Sequence, residues 1–326
     1  MSEPSTFFTR KPVIIGLALL ACMLWGSAYP AIKNGFAMFH IASDDTASKI
    51  LFAGYRFFLA GIAVLVFAAC TNPVRTVFNI SARNFTQLFI LGIAMTAIQY
   101  TFFYIGLSHT TGVKGAVLNA TTSFFSVLTA HFFYANDRLQ WHTVIGCLLG
   151  FAGVAVINFS PELLNFQFTL TGEGFIVIAA FFLATSGVYG KWLSQQIDSV
   201  ILTGWQLTFG GALLIIAGLC LGGSVTNFTA SSTALLIYMA LMSSVAFAIW
   251  TVLLKYNRVS VVSIFSFTIP LFGALLSAIF LHERILEWKN LLALLLVCSG
   301  ISLVTGFQNL RNLLKARHLK AHPKNN

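Results

Sequence analysis

The sequence is short of charge. Asp, Glu, Lys and Arg make up 9% of its 326 residues, against about 25% in a soluble domain. Acidic groups are scarcest, 9 Asp and Glu beside 19 Lys and Arg. No predicted span interior holds one, which argues against a pump for polycationic drugs and against carboxylate-based proton coupling. HExxH, GxSxG and Walker sequences are missing, so no enzyme chemistry, cofactor or metal is expected. The 5 cysteines stand far apart without a CxxC pair and read as small apolar residues. No clear small-x-small cleavage site follows the apolar start, so Val13–Ile32 reads as a retained first span.

What is present is apolar. Hydrophobic residues are 57% of the chain, and mean hydropathy is +0.84. Runs long enough to cross a bilayer as helices predict an all-α membrane protein of ten transmembrane helices. They are Val13–Ile32, Ile50–Cys70, Phe85–Leu107, Gly115–Tyr134, Thr143–Phe159, Gly172–Leu193, Ile201–Leu221, Ala234–Leu254, Val261–Leu281 and Leu291–Phe307. With the N-terminus inside, 13 Lys and Arg fall on inner segments and 5 on outer ones, Arg56 being left in a span. The positive-inside rule then places residues 1–12 and the basic tail 308–326 in the cytoplasm. The net charge of +10 is a topology signal, and no nucleic-acid partner is implied. The partners expected are the lipid bilayer and a small-molecule substrate.

The two halves repeat. Gly54-Tyr55-Arg56-Phe57-Phe58-Leu59-Ala60-Gly61 aligns with Gly204-Trp205-Gln206-Leu207-Thr208-Phe209-Gly210-Gly211, an offset of 150 residues. Asp137-Arg138-Leu139 aligns with Glu283-Arg284-Ile285, an offset of 146. Five spans per half, residues 13–159 and 172–307, make the second copy enter from the opposite side. Two inverted five-helix repeats around a central cavity are a signature of secondary transporters, with the site near the midplane.

Together, the two five-helix halves, Leu24-Trp25-Gly26-Ser27, Arg56 before a Leu-Ala-Gly segment, and Phe280-Leu281-His282-Glu283-Arg284 resemble the EamA-type transporters of the drug/metabolite transporter superfamily. The resemblance implies ten helices around a central cavity, cytoplasmic termini, and export or exchange of amino acids and other small metabolites across the inner (plasma) membrane. Asn136-Asp137 replaces the family's Gly-Glu pair after the fourth span, in a motif that looks structural.

Candidate substrate-binding residues come from polar and aromatic groups inside spans. Arg56 lies about 9 Å down its helix. A guanidinium there costs about 2.5–3.5 kcal/mol on insertion scales. It either faces a wet cavity and meets an anionic ligand group, or snorkels to headgroups or caps a neighbouring helix. Trp25 and Tyr29 share a face of the first span, either as cavity lining or as core, and Pro30 should kink that helix. Gln99 and Tyr100 sit in the third span, with Thr96 and Tyr104 on the face of Tyr100. Gln99 bonds either a ligand carboxylate or amine, or a neighbouring helix. Asn119 heads a polar stripe with Thr122, Ser123 and Ser126, the hydroxyls reading as a packing seam. Tyr189 lies at the repeat position of the first-span motif. Gln206 is the counterpart of Arg56, and Trp250 aligns with Tyr100. Pro270 invites a kink between Ser266 and Gly273. Gly146 and Gly150 form a GxxxG that reads as scaffold or as contact with a second copy of the chain, a homodimer. His131 reads as bonded to a neighbour in preference to a coupling role. A membrane enzyme and a channel are the competing classes. The proline- and glycine-interrupted repeats favour a carrier.

Overall fold

The computed structural model describes residues 4–110, 112–159, 168–281 and 288–321. His282, Glu283 and Arg284 of the motif after the ninth span, and Ile285 of the repeat alignment, lie outside them. All regular structure among the described residues is helical. A short α1 (Pro4–Phe8) leads into α2 (Lys11–Met38), followed by α3 (Thr46–Thr71), α4 (Val74–Phe78), α5 (Ala82–Gly92), α6 (Gln99–Ser108), α7 (Gly112–Asn119), α8 (Thr122–Phe133) and α9 (Trp141–Ile157). The second half comprises α10 (Phe175–Leu193), α11 (Ser199–Cys220), α12 (Ala230–Tyr256), α13 (Val259–Ser263), α14 (Ile269–Leu281) and α15 (Trp288–Ala321). Among the described residues, eight helical stretches are long and apolar enough to cross a membrane, and Trp141–Ile157 and Leu291–Gly306 are shorter apolar helices.

Local chemistry sets the helix starts. Asp45 accepts from Ser48 N at 2.9 Å ahead of α3, Asp198 caps α11, and Thr229 with Ser232 forms a capping box on α12. These side chains satisfy N–H groups that have no partner within the helix.

Two antiparallel pairs hold the molecule together through glycine. Along α3 and α11, Leu51 meets Gly218, Gly54 meets Ile215, Phe58 meets Gly211, Gly61 meets Thr208 and Leu65 meets Gly204. The paired numbers share a constant sum, 269, the mark of one unbroken register. An added Cβ at any of these glycines would lie within 2.7 Å of a neighbouring atom. Helices approaching this closely leave no room for a side chain between them. The same device joins α9 to α15, where Gly146 faces Gly300 and Val304. Gly150 meets the ring of Phe267. The GxxxG therefore packs within the chain.

Among the described residues, three of the long apolar stretches are interrupted within their length. A π-helical segment, Ile93–Ile98, separates α5 from α6. The fourth stretch breaks between Asn119 and Thr122. The stretch that corresponds to the ninth predicted span passes from α13 through a 3₁₀ segment, Ile264–Thr268, into α14. Pro270 is the second residue of α14, a position that needs no intrahelical donor. The break expected around Pro270 therefore comes upstream of it, as 3₁₀ geometry.

Polar contacts cluster at the two ends. At one, Asn257 Nδ2 donates to the Phe8 carbonyl at 3.0 Å, Lys191 Nζ donates to the Asn257 carbonyl, and Asp137 takes Arg258 Nε at 3.2 Å. Asp137 also accepts from Val259 N and from the Ser260 hydroxyl, so it caps α13 across the two halves. At the other end, Ser224 N donates to Ser48 Oγ at 2.8 Å and Asn227 Nδ2 to the Met38 carbonyl at 2.7 Å.

Glu173 corrects one expectation. It is buried within Leu170–Leu193, a stretch able to cross a membrane. Thr110 Oγ1 donates to it at 2.7 Å, Thr169 N at 2.9 Å and Thr169 Oγ1 at 3.0 Å, and Lys114 Nζ pairs with it at 3.4 Å. Several donors and one cation offset the burial of a carboxylate. It lies in the first turn of the stretch, outside the span interior that the sequence marks as free of acidic groups.

Candidate functional site

Arg56 lies deep in the protein, 3% exposed. That removes snorkelling, since the side chain reaches neither lipid nor headgroups. The helical turn of α3 directs it at α12, where Nε donates to Ser243 Oγ at 2.8 Å. Its Cζ lies 4.9 Å from the centroid of the Phe57 ring, close enough for a cation–π contribution. Among the described residues no carboxylate pairs with it and no other hydrogen bond is made to it. A guanidinium carries five N–H donors, so four remain for water or a ligand.

Gln206, the counterpart of Arg56 on α11, is also buried. Its Oε1 accepts from Thr96 Oγ1 at 2.9 Å, and Thr96 lies inside the π segment. The two contacts correspond position for position. Arg56 is offset from Gln206 by 150 residues, and Thr96 from Ser243 by 147.

An aromatic chain connects the candidates. Trp25 meets Trp250 at 5.0 Å between centroids and Phe247 at 5.3 Å, both edge to face. Phe247 meets Phe57 at 6.1 Å, and Phe57 meets Tyr100 at 4.3 Å. Trp25, Trp250, Tyr100 and Arg56 thus join through Phe57 and Phe247. Tyr29, one turn beyond Trp25, has its ring against Gly273 of α14 and is 40% exposed.

Gln99 begins α6 directly after the π segment and is 3% exposed, and its Oε1 has no hydrogen-bond partner. A buried amide carbonyl left unpaired costs about 1–3 kcal/mol. Asn119 ends α7 at the break in its stretch, and its Oδ1 is likewise buried and unpartnered. Its neighbours Val117 and Ala120 pack on the apolar cluster that also receives Trp250. Tyr189 stacks on Trp192 at 5.8 Å and packs on the apolar cluster that also receives Trp25 and Tyr100. The hydroxyl seam is as expected: Ser123 Oγ donates to the Ser263 carbonyl at 3.1 Å, joining α8 to α13. His131 Nδ1 accepts from Leu139 N at 2.9 Å, a loop contact.

Sequence reasoning missed Ser243, Phe57 and Phe247. The sequence alignment that pairs Tyr100 with Trp250 puts Ala246 opposite Thr96, and only the contacts bring Ser243 into correspondence with that threonine. Phe57 and Phe247 carried no mark to separate them from the other 30 phenylalanines.

An all-helical membrane protein with a buried polar and aromatic cluster is the class this geometry defines. The chain belongs to the EamA-like transporter family, whose model matches residues 12–159 and again residues 170–306. Its relatives include the "uncharacterized transporter YvbV" of Bacillus subtilis (strain 168), 28% identical over 91% of this chain and 92% of that protein. The WAT1-related protein At3g02690, chloroplastic, of Arabidopsis thaliana is 23% identical over 79% of this chain and 61% of that one. A crystal structure superposes with a TM-score of 0.72 at 17% identity, covering 91% of this chain and 98% of the other. That likeness concerns the fold alone.

Proposed function

We propose that the protein is a secondary transporter that exports or exchanges amino acids or related carboxylate-bearing solutes by alternating access. It would sit in the plasma membrane as ten spans, two inverted repeats of five, with both termini in the cytoplasm. The observation that carries the substrate class is Arg56: a guanidinium in the protein interior, tied to one serine, with no carboxylate partner among the described residues. Such a charge favours an anionic group on the solute. The unpaired Oε1 of Gln99 suits an N–H donor, as the ammonium of an amino acid would supply. Trp25, Tyr29, Tyr100, Tyr189, Asn119, Gln206 and Trp250 complete the proposed lining, aromatic for the most part, as suits a partly apolar solute.

Reciprocal packing supports the inverted repeat. Gly54 meets Ile215 while Leu65 meets Gly204, and Gly61 meets Thr208 while Phe58 meets Gly211. Exchanging the halves at an offset of 150 turns each contact into the other. The Arg56–Ser243 and Gln206–Thr96 bonds correspond as well, with an offset of 150 between Arg56 and Gln206 and of 147 between Thr96 and Ser243. On that register Tyr100 corresponds to Phe247, one turn from the Trp250 that sequence alignment pairs with it. Breaks within the fourth and ninth predicted spans, at corresponding places, favour a site where helices are discontinuous.

The test is counterflow in liposomes holding the purified protein, run with each of the twenty L-amino acids and each carboxamide. Carriers saturate and show counterflow, channels do not, and an enzyme returns altered product. The expected result is counterflow with free acids and weak competition by amides, abolished in Arg56→Gln with folding intact. Unchanged kinetics in that variant would remove Arg56 from the site.

A further inference from the structure

We infer that Ser243 is a positioning residue that fixes Arg56 so that only the far end of its guanidinium, the two Nη groups, meets the solute. This rests on the reading of Arg56 as the anion site. The direction of each hydrogen bond carries it. Ser243 Oγ donates its own proton to the Met239 carbonyl at 2.7 Å, one turn back on α12. The hydroxyl therefore has only lone pairs to turn toward Arg56, and Nε donates into one of them at 2.8 Å. The chain Arg56 Nε to Ser243 Oγ to Met239 O is one-way and wholly buried.

A guanidinium can take a carboxylate along two edges, Nε with one Nη, or both Nη together. Ser243 occupies the first. The second remains, flanked by the face of Phe57. Two parallel N–H groups at that end match the two oxygens of one planar carboxylate. A carboxamide offers one oxygen and an NH₂ that meets a donor with a donor. A lysine at position 56 would keep the charge and lose the fork. Selectivity for acid over amide is thus set by Ser243, a residue that does not touch the solute.

The opposite half shows what the arrangement is without a charge. Gln206 Oε1 accepts from Thr96 Oγ1, so there the hydroxyl is the donor and the side chain of the α3-like helix the acceptor. The reversal of direction tracks the replacement of guanidinium by amide.

The experiment measures counterflow KM and Vmax for free L-amino acids, with competition by their carboxamides, in wild type, Ser243→Ala, Ser243→Thr, Arg56→Lys and the Ser243→Ala/Arg56→Lys double variant. Expected for Ser243→Ala is a KM about tenfold higher, one charge-assisted hydrogen bond, with Vmax within about twofold. The acid-over-amide ratio should fall by about the same factor. Ser243→Thr keeps the hydroxyl and should restore the ratio. In the Arg56→Lys background Ser243→Ala should change KM by less than about twofold, because the group it positions is gone. The inference is overturned if Ser243→Ala raises KM equally for acids and amides, if it leaves KM alone, or if its effect is undiminished beside Arg56→Lys. Should Ser243→Ala not fold, Ser243→Cys, near in volume and a weak acceptor, is read by the same criteria. Absence of counterflow for every free acid in wild type defeats the underlying transport reading. Acid-selective wild type with an acid-selective Ser243→Ala defeats this inference alone.

Discussion

Gly211 and Phe58 meet backbone to backbone: a Cβ added at Gly211 would lie 2.2 Å from Phe58 N. Nothing at that point can swing aside, because the obstructing atom is main chain. Gly211→Ala should therefore part α3 from α11 and cost at least the 1–3 kcal/mol typical of an overfilled core. Gly61→Ala, whose added carbon would lie 2.4 Å from Thr208 N, should cost as much. Gly16→Ala, with open space around it, should cost nothing measurable. Thermal melting of the purified protein in detergent gives the comparison.

Asp137 joins the two halves by capping α13 and pairing with Arg258. Asp137→Ala leaves Arg258, the Val259 N–H and the Ser260 hydroxyl without their acceptor. Breaking a buried pair from one side costs about 3–5 kcal/mol, so the melting temperature should drop sharply. Asp137→Asn keeps one acceptor oxygen and should cost less. Equal melting of both variants and wild type would make the cap dispensable.

Asp45 offers a pH test outside the spans. Hydrogen bonds from Ser48, the side chain first and the backbone second, hold its carboxyl below the ordinary range. A folded-state value below the unfolded one means a contribution fully present above the unfolded value of about 3.9. It is lost as pH falls through the folded value. Asp45→Ala should cost about 0.5–2 kcal/mol near pH 6, as for other N-caps, and the gap from wild type should close toward pH 3. A gap independent of pH would detach the cap from the carboxylate charge.

Gln99 separates packing from binding. If the buried, unpaired Oε1 is kept for the solute and not for the fold, Gln99→Leu is neutral or stabilising, since an unsatisfied acceptor is removed. The expected outcome is an equal or higher melting temperature together with a KM for free amino acids about tenfold higher. Loss of both stability and transport would assign Gln99 to the scaffold.

Much of the fold was legible because burial in lipid leaves a simple mark. Nine of the predicted spans overlap apolar helical stretches among the described residues, with Lys11 opening α2 and Asp198 capping α11. The tenth, Leu291–Phe307, falls within the long α15. Arg56 stood out because a lone cation in an apolar run has few explanations. The π segment at Ile93–Ile98 was illegible, since Ile-Ala-Met-Thr-Ala-Ile is as apolar and helix-compatible as its flanks. Only packing against α11, where Thr96 meets Gly210, makes the extra residue visible. Ser243 was hidden for another reason: serines in spans commonly bond their own helix, and this one does that too.

The register shared by α3 and α11 also bears on movement. Where main chain touches main chain there are no rotamers to exchange, so this pair has one way to fit and no second arrangement to switch into. Any change of shape that opens the interior must then be taken up elsewhere. The helices broken at Asn119 and at Ile264–Thr268 are the places where torsion angles can turn without unlocking that fixed spine.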